Sequence, residues 1–62
     1  MELYVIQQYN KEYGWMPIYK YRVDLVFRSL RLAKIKCIEM ETKDNHYDIF
    51  CNAKFVWCPK NP

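Results

Sequence analysis

Ser29-Leu30-Arg31-Leu32-Ala33-Lys34-Ile35-Lys36-Cys37-Ile38-Glu39-Met40-Glu41 decides the fold. Ser is a favoured N-cap residue, and Leu, Ala, Lys, Met and Glu lose little on entering a helix. The stretch predicts a helix that ends in Thr42-Lys43-Asp44-Asn45. At 100° per residue, Leu30, Ala33, Cys37 and Met40 make one apolar stripe. Leu32, Ile35 and Ile38 make a second stripe nearly opposite, with Lys34 and Glu41 on one flank and Lys36 and Lys43 on the other. A helix packed on a single partner needs only one such stripe.

Downstream, Tyr47, Ile49, Cys51, Ala53, Phe55 and Trp57 alternate with Asp48, Phe50, Asn52, Lys54 and Val56. Period two predicts a strand with one strongly apolar face, placing Ile49, Phe55 and Trp57 toward the helix and Phe50 and Val56 outward. Cys58-Pro59-Lys60-Asn61-Pro62 reads as a short tail.

Upstream, Leu3–Tyr9 is rich in β-branched and aromatic residues and reads as a strand. Asn10-Lys11-Glu12-Tyr13-Gly14 reads as a turn, with the chain's one glycine where a hairpin closes. From Trp15 the pattern Trp15, Pro17, Tyr19, Tyr21, Val23, Leu25, Phe27 predicts a long second strand, bent near Asp24, with Pro17 on an unpaired side or at a bulge. Residues 23–28 also fit a helix begun at Asp24, which adds Val26 to the first helical stripe; the pattern leaves both open. The expected fold is a single α+β domain over residues 1–62, in two layers. A three-stranded, mostly antiparallel sheet in ββαβ order carries one helix on one face, and its second face is uncovered.

The chain has 62 residues, with six Tyr, three Phe and two Trp and a hydrophobic share of 52%. A domain this small removes only about 60% of its unfolded surface from water, so dense aromatic packing is how it builds a core. Net charge is +3. That balance suits acidic protein partners or nucleic acid without requiring either. No run approaches the length of a membrane span, and the start Met1-Glu2-Leu3-Tyr4 lacks a basic signal-peptide region. Cys37, Cys51 and Cys58 are odd in number, which predicts reduced thiols in a cytoplasmic protein.

Chemistry finds little support in these patterns. One His in a polar turn, Lys43-Asp44-Asn45-His46, and one Gly in the chain argue against an active site or a phosphate loop. Cys37, His46, Cys51 and Cys58 have the ligand count of a Cys₃His zinc site but no close pair of ligands. The expectation is no catalytic residue, no metal and no cofactor.

Binding is better supported. Exposed apolar clusters mark interaction surfaces. The expected partner-binding set is Leu32, Ile35 and Ile38 with Arg28, Arg31 and Lys36 at a polar rim. A host protein is the expected partner, and a homodimer closing the same stripe is the alternative occupant. The alternative function is nucleic-acid binding. A Tyr19-Lys20-Tyr21-Arg22 strand would offer a stacking platform, with Arg28, Arg31 and Lys34 on phosphates. The RNA-recognition consensus is absent, and +3 is weak for phosphate-driven affinity.

The hairpin around Tyr13-Gly14-Trp15, the helix opened by Ser29-Leu30 with Ala33-Lys34, and a final alternating strand together resemble small phage-encoded host-takeover and anti-defence proteins. These include anti-CRISPR-like and antitoxin-like inhibitors. The resemblance covers the whole chain in size and element order, and carries no residue roles. It implies a non-enzymatic inhibitor that binds one host protein in the host cytoplasm.

Overall fold

A computed structural model describes residues 2–60. The domain is α+β, with one helix and an antiparallel sheet of five strands rather than the expected three. The order is β1 (Tyr4–Asn10), β2 (Gly14–Met16), β3 (Val26–Phe27), α1 (Leu30–Met40), β4 (His46–Cys51) and β5 (Lys54–Trp57). The sheet runs β2-β1-β4-β5, and β3 shares the edge of β1 with β2. Tyr9 and Asn10 pair with Trp15 and Gly14, whereas Tyr4 and Val5 pair with Phe27 and Val26.

The first hairpin forms where the turn chemistry places it. Asn10 Oδ1 accepts from the amides of Glu12 and Tyr13 at 2.8 and 3.0 Å, and Gly14 takes φ +78°. The long second strand does not form. Pro17, which has no amide to donate to the sheet, precedes a 3-10 turn at Ile18–Lys20, and a second follows at Val23–Leu25. The chain leaves the sheet, folds Ile18, Tyr19 and Leu25 against the core, and returns as β3. Residues 23–28 are therefore neither a continuous strand nor part of the helix.

α1 begins as expected, with Ser29 Oγ accepting from Leu32 N at 3.4 Å. Its inner stripe carries Ala33 and Cys37 into a core with Ile6, Leu25 and Ile49. Ile6 lies opposite Ile49 in the β1–β4 register, so the helix packs over the sheet's centre.

The expected final strand is a hairpin. Asn52 and Ala53 both take left-handed φ, 53° and 63°, the pattern of a two-residue type I′ turn. Phe55 then lies opposite Phe50, on the face away from the helix. A register shift between Ile49 and Phe50 lets both Val56 and Trp57 pack against the core. Phe55 and Val56 thus exchange the sides expected for them. Cys58 is buried, so the tail begins later than Cys58; Asn61 and Pro62 lie outside the described residues.

A left-handed alanine is strained because its Cβ crowds the backbone. Ala53→Gly is expected to stabilise the domain by about 0.5–1 kcal/mol. Chemical denaturation of the two proteins measures this directly. A loss of stability would show that the turn is not of this type.

Candidate functional site

The outer stripe of α1 stands in solvent. Leu32, Ile35 and Ile38 are 55%, 53% and 57% exposed. By helical spacing Arg31 projects between Ile35 and Ile38. Arg28, just before the helix, is also exposed. Neither arginine makes an ion pair among the described residues. Lys36 departs from its expected place at the rim, reaching back to within 4.0 Å of Asp24. Lys34 sits 5.3 Å from the Trp57 ring centre, with its charge over the aromatic face.

The expected Tyr19–Arg22 strand does not form. In the 3-10 turns the four side chains no longer alternate. Tyr19 packs on the core, Tyr21 is 90% exposed, and Arg22 is held by Asp24 at 2.8 Å. Of the basic residues in that set, Lys34 has its charge over the Trp57 ring.

The sheet face away from the helix is lined with aromatics. Tyr9 and Trp15 meet edge-on at 5.2 Å between ring centres, Trp15 and Phe50 also at 5.2 Å, and Phe50 and Phe55 at 6.2 Å. Trp15 also lies 5.7 Å from the His46 ring, at the end of this row where the polar cluster begins.

That cluster gathers Glu41, His46, Asp48 and Cys58. His46 and Asp48 share a sheet face because they are two residues apart on β4. The β4–β5 register, continued one step beyond Ile49–Trp57, brings Cys58 beside Asp48. One donor atom from each of His46, Asp48 and Cys58 lies within 4.8 Å of the others. Glu41, at the helix C-cap, accepts from Tyr47 N at 3.0 Å through Oε1 and meets His46 Nδ1 at 3.0 Å through Oε2. Lys60 Nζ is 3.5 Å from the same Oε2.

Electrostatics separates the two carboxylates. Burial pushes Glu41 upward, but the hydrogen bonds from His46 and Tyr47 and the charges of His46 and Lys60 outweigh it, so its pKa falls. Asp48 goes the other way: burial and the Glu41 charge raise its pKa despite His46 and the Cys58 thiol. Asp48 is 5% exposed, and among the described residues its Oδ1 has no hydrogen-bond partner. His46 Nε2 is only 2.9 Å from that oxygen. A protonated imidazole bridges both carboxylates, whereas a neutral one with Nδ1–H on Glu41 turns the Nε2 lone pair toward Asp48.

Cys37 and Cys51 stand outside this cluster. Cys37 is fully buried in the core and donates to Tyr47 O at 3.4 Å; burial first, then the charges of Glu41, Asp48 and Cys58, push its thiol up to about 12. At pH 8, Cys37 is expected to resist a disulfide reagent that modifies half-buried Cys51, and to react only when the domain unfolds. Mass spectrometry of timed aliquots reads the order; early labelling of Cys37 would contradict this packing.

The sequence places the helix stripe correctly but gives no direct sight of the polar cluster. The available signal was His46-x-Asp48 on one strand face, with Cys58 brought across by a turn at Asn52-Ala53. Reading residues 47–57 as one strand hides it. No protein-family model, curated protein or solved structure matches the chain.

Proposed function

We propose that this chain is a protein-binding module whose outer helix face docks into an apolar groove with an acidic rim on another protein. The observation that carries this reading is the group of three aliphatic side chains, each more than half exposed, on one face of the helix. Helix-in-groove recognition uses anchors at this kind of spacing. Arginines supply the rest: Arg28 beside this face and Arg31 within it are exposed without acidic partners among the described residues, and the chain carries +3 overall. Two copies meeting through this face would bring like charges together, so a second copy is the poorer occupant.

In this reading the protein acts by occupancy rather than chemistry. It fills a groove that another ligand of the partner would use, which makes it an inhibitor or modulator of a host protein in the cytoplasm. None of the helices among the described residues is long and apolar enough to cross a membrane.

The test is capture of partners by the tagged full chain from nuclease-treated bacterial lysate, with light scattering on the purified protein. One stoichiometric acidic protein, retained between about 50 and 200 mM salt, is expected, because apolar burial is little screened. Loss of the bound material on nuclease treatment, or a steep fall over that salt range, would instead indicate nucleic acid. A dimer that captures nothing would mean that the stripe closes on a second copy.

A further inference from the structure

We propose that His46, Asp48 and Cys58 form a zinc site, with Nε2 of His46, a carboxylate oxygen of Asp48 and the Cys58 thiolate as protein donors and water in the fourth position. The three donors lie within 4.8 Å of one another. Donors bound tetrahedrally to one zinc ion at about 2.0–2.3 Å sit roughly 3.3–3.8 Å apart. Opening the His46–Asp48 pair by about half an ångström brings it to that spacing.

Three features distinguish this cluster from a chance meeting of polar groups. Asp48 is a 5% exposed carboxylate whose Oδ1 has no hydrogen-bond partner among the described residues unless His46 Nε2, 2.9 Å away, carries a proton, and it is aimed at the cluster. An unpartnered buried oxygen is costly unless a proton or a cation satisfies it. In the neutral imidazole that Glu41 orients through Nδ1–H, the ring nitrogen facing it is an acceptor, and a cation between them satisfies both. Glu41 itself completes the pattern. A ligating histidine usually donates its other ring N–H to a carboxylate, which fixes the tautomer and makes the ligating nitrogen more basic. Glu41 Oε2 holds Nδ1 at 3.0 Å, and its second oxygen is tied to Tyr47 N, so the orienting group is itself oriented.

The donor types select the metal. Magnesium and calcium favour all-oxygen shells, whereas nitrogen, oxygen and thiolate together suit zinc. On binding, the zinc–sulfur bond forms as the Cys58 thiol releases its proton to solvent. The ion reaches the site past the His46 ring, whose side chain is 26% exposed.

The consequence is structural. His46 and Asp48 lie on β4, and Cys58 follows β5 directly. One ion therefore clamps the end of the last hairpin and joins it, through Glu41, to the end of the helix. A domain of this length gains much from such a staple, since its core alone is small.

This inference is independent of the docking face, with which it shares no residue. The test uses the full chain, stripped with a chelator under reducing conditions and titrated with Co²⁺. One cobalt per chain is expected, with a sulfur-to-cobalt charge-transfer band and intense four-coordinate ligand-field bands, all bleached by one equivalent of Zn²⁺. Cys58→Ser should remove the charge-transfer band and Cys51→Ser should keep it. Glu41→Gln should weaken zinc binding about 10–100-fold while leaving the cobalt spectrum in place. Ile35→Asp should bind cobalt as the parent does. Failure of the parent chain to bind cobalt, a weak six-coordinate spectrum, or a charge-transfer band surviving in Cys58→Ser would overturn the site. The parent spectrum decides the question even if Cys58→Ser fails to fold.

Discussion

Leu25→Ala is expected to remove most of the domain's stability, while Val23→Ala, two residues earlier, changes it by less than about 0.5 kcal/mol. Leu25 is fully buried against Ile6, Ala33, Cys37 and Ile49, whereas Val23 is 88% exposed. Truncating a buried leucine costs about 2–5 kcal/mol, because the lost transfer energy adds to that of an unfilled cavity. A domain of this size rarely holds more than about 3–5 kcal/mol in its core, so the variant should be largely unfolded at room temperature. Urea titration followed by tryptophan fluorescence measures both variants. The comparison also separates two architectures. In a continuous strand, Val23 and Leu25 would share a face and cost alike. In the 3-10 turn, one points into the core and the other into water. Equal losses at the two positions would restore the strand.

The second large effect is on binding. Ile35→Asp should weaken capture of the protein partner by at least about 100-fold, the size of a hot-spot loss of roughly 2.7 kcal/mol. A carboxylate at the centre of an apolar contact must either stay hydrated, which holds the surfaces apart, or be buried unpaired. The acidic border proposed for the partner adds repulsion. Folding stability should move little, because Ile35 is 53% exposed and does not touch the core cluster. Calorimetric titration of the captured partner with parent and variant gives the ratio, and circular dichroism checks the fold. Undiminished affinity with an intact fold would move the binding surface off the helix.

The parts of the fold legible in the sequence are those where local chemistry and packing agree. Ser29 caps α1, the inner stripe buries Ala33 and Cys37, and Asn10 with Gly14 closes the first hairpin. The exposure of Leu32, Ile35 and Ile38 was legible for the same reason: a helix has one side toward the sheet, and a second apolar stripe must stand elsewhere.

Two misreadings share a physical cause. A period of two marks a strand but carries no marker of where the strand folds back. In Trp15–Phe27 the alternation continues through Pro17, yet the missing amide and the demands of the core take the chain out of the sheet. In Tyr47–Trp57 it continues through Asn52-Ala53, where asparagine accepts the left-handed conformation readily and alanine is carried into it by the pairing of Phe50 with Phe55.

By itself, then, the sequence determined the class of object: one amphipathic helix with a spare apolar face, aromatic-rich strands, and a weakly basic chain too short for a second core. Those properties follow from residues near one another along the chain. Tertiary structure alone decided that Leu25 belongs to the core, that Phe55 faces away from the helix, and that His46, Asp48 and Cys58 meet. Each depends on a turn or a register, and a shift of one residue in either sends every following side chain to the other face.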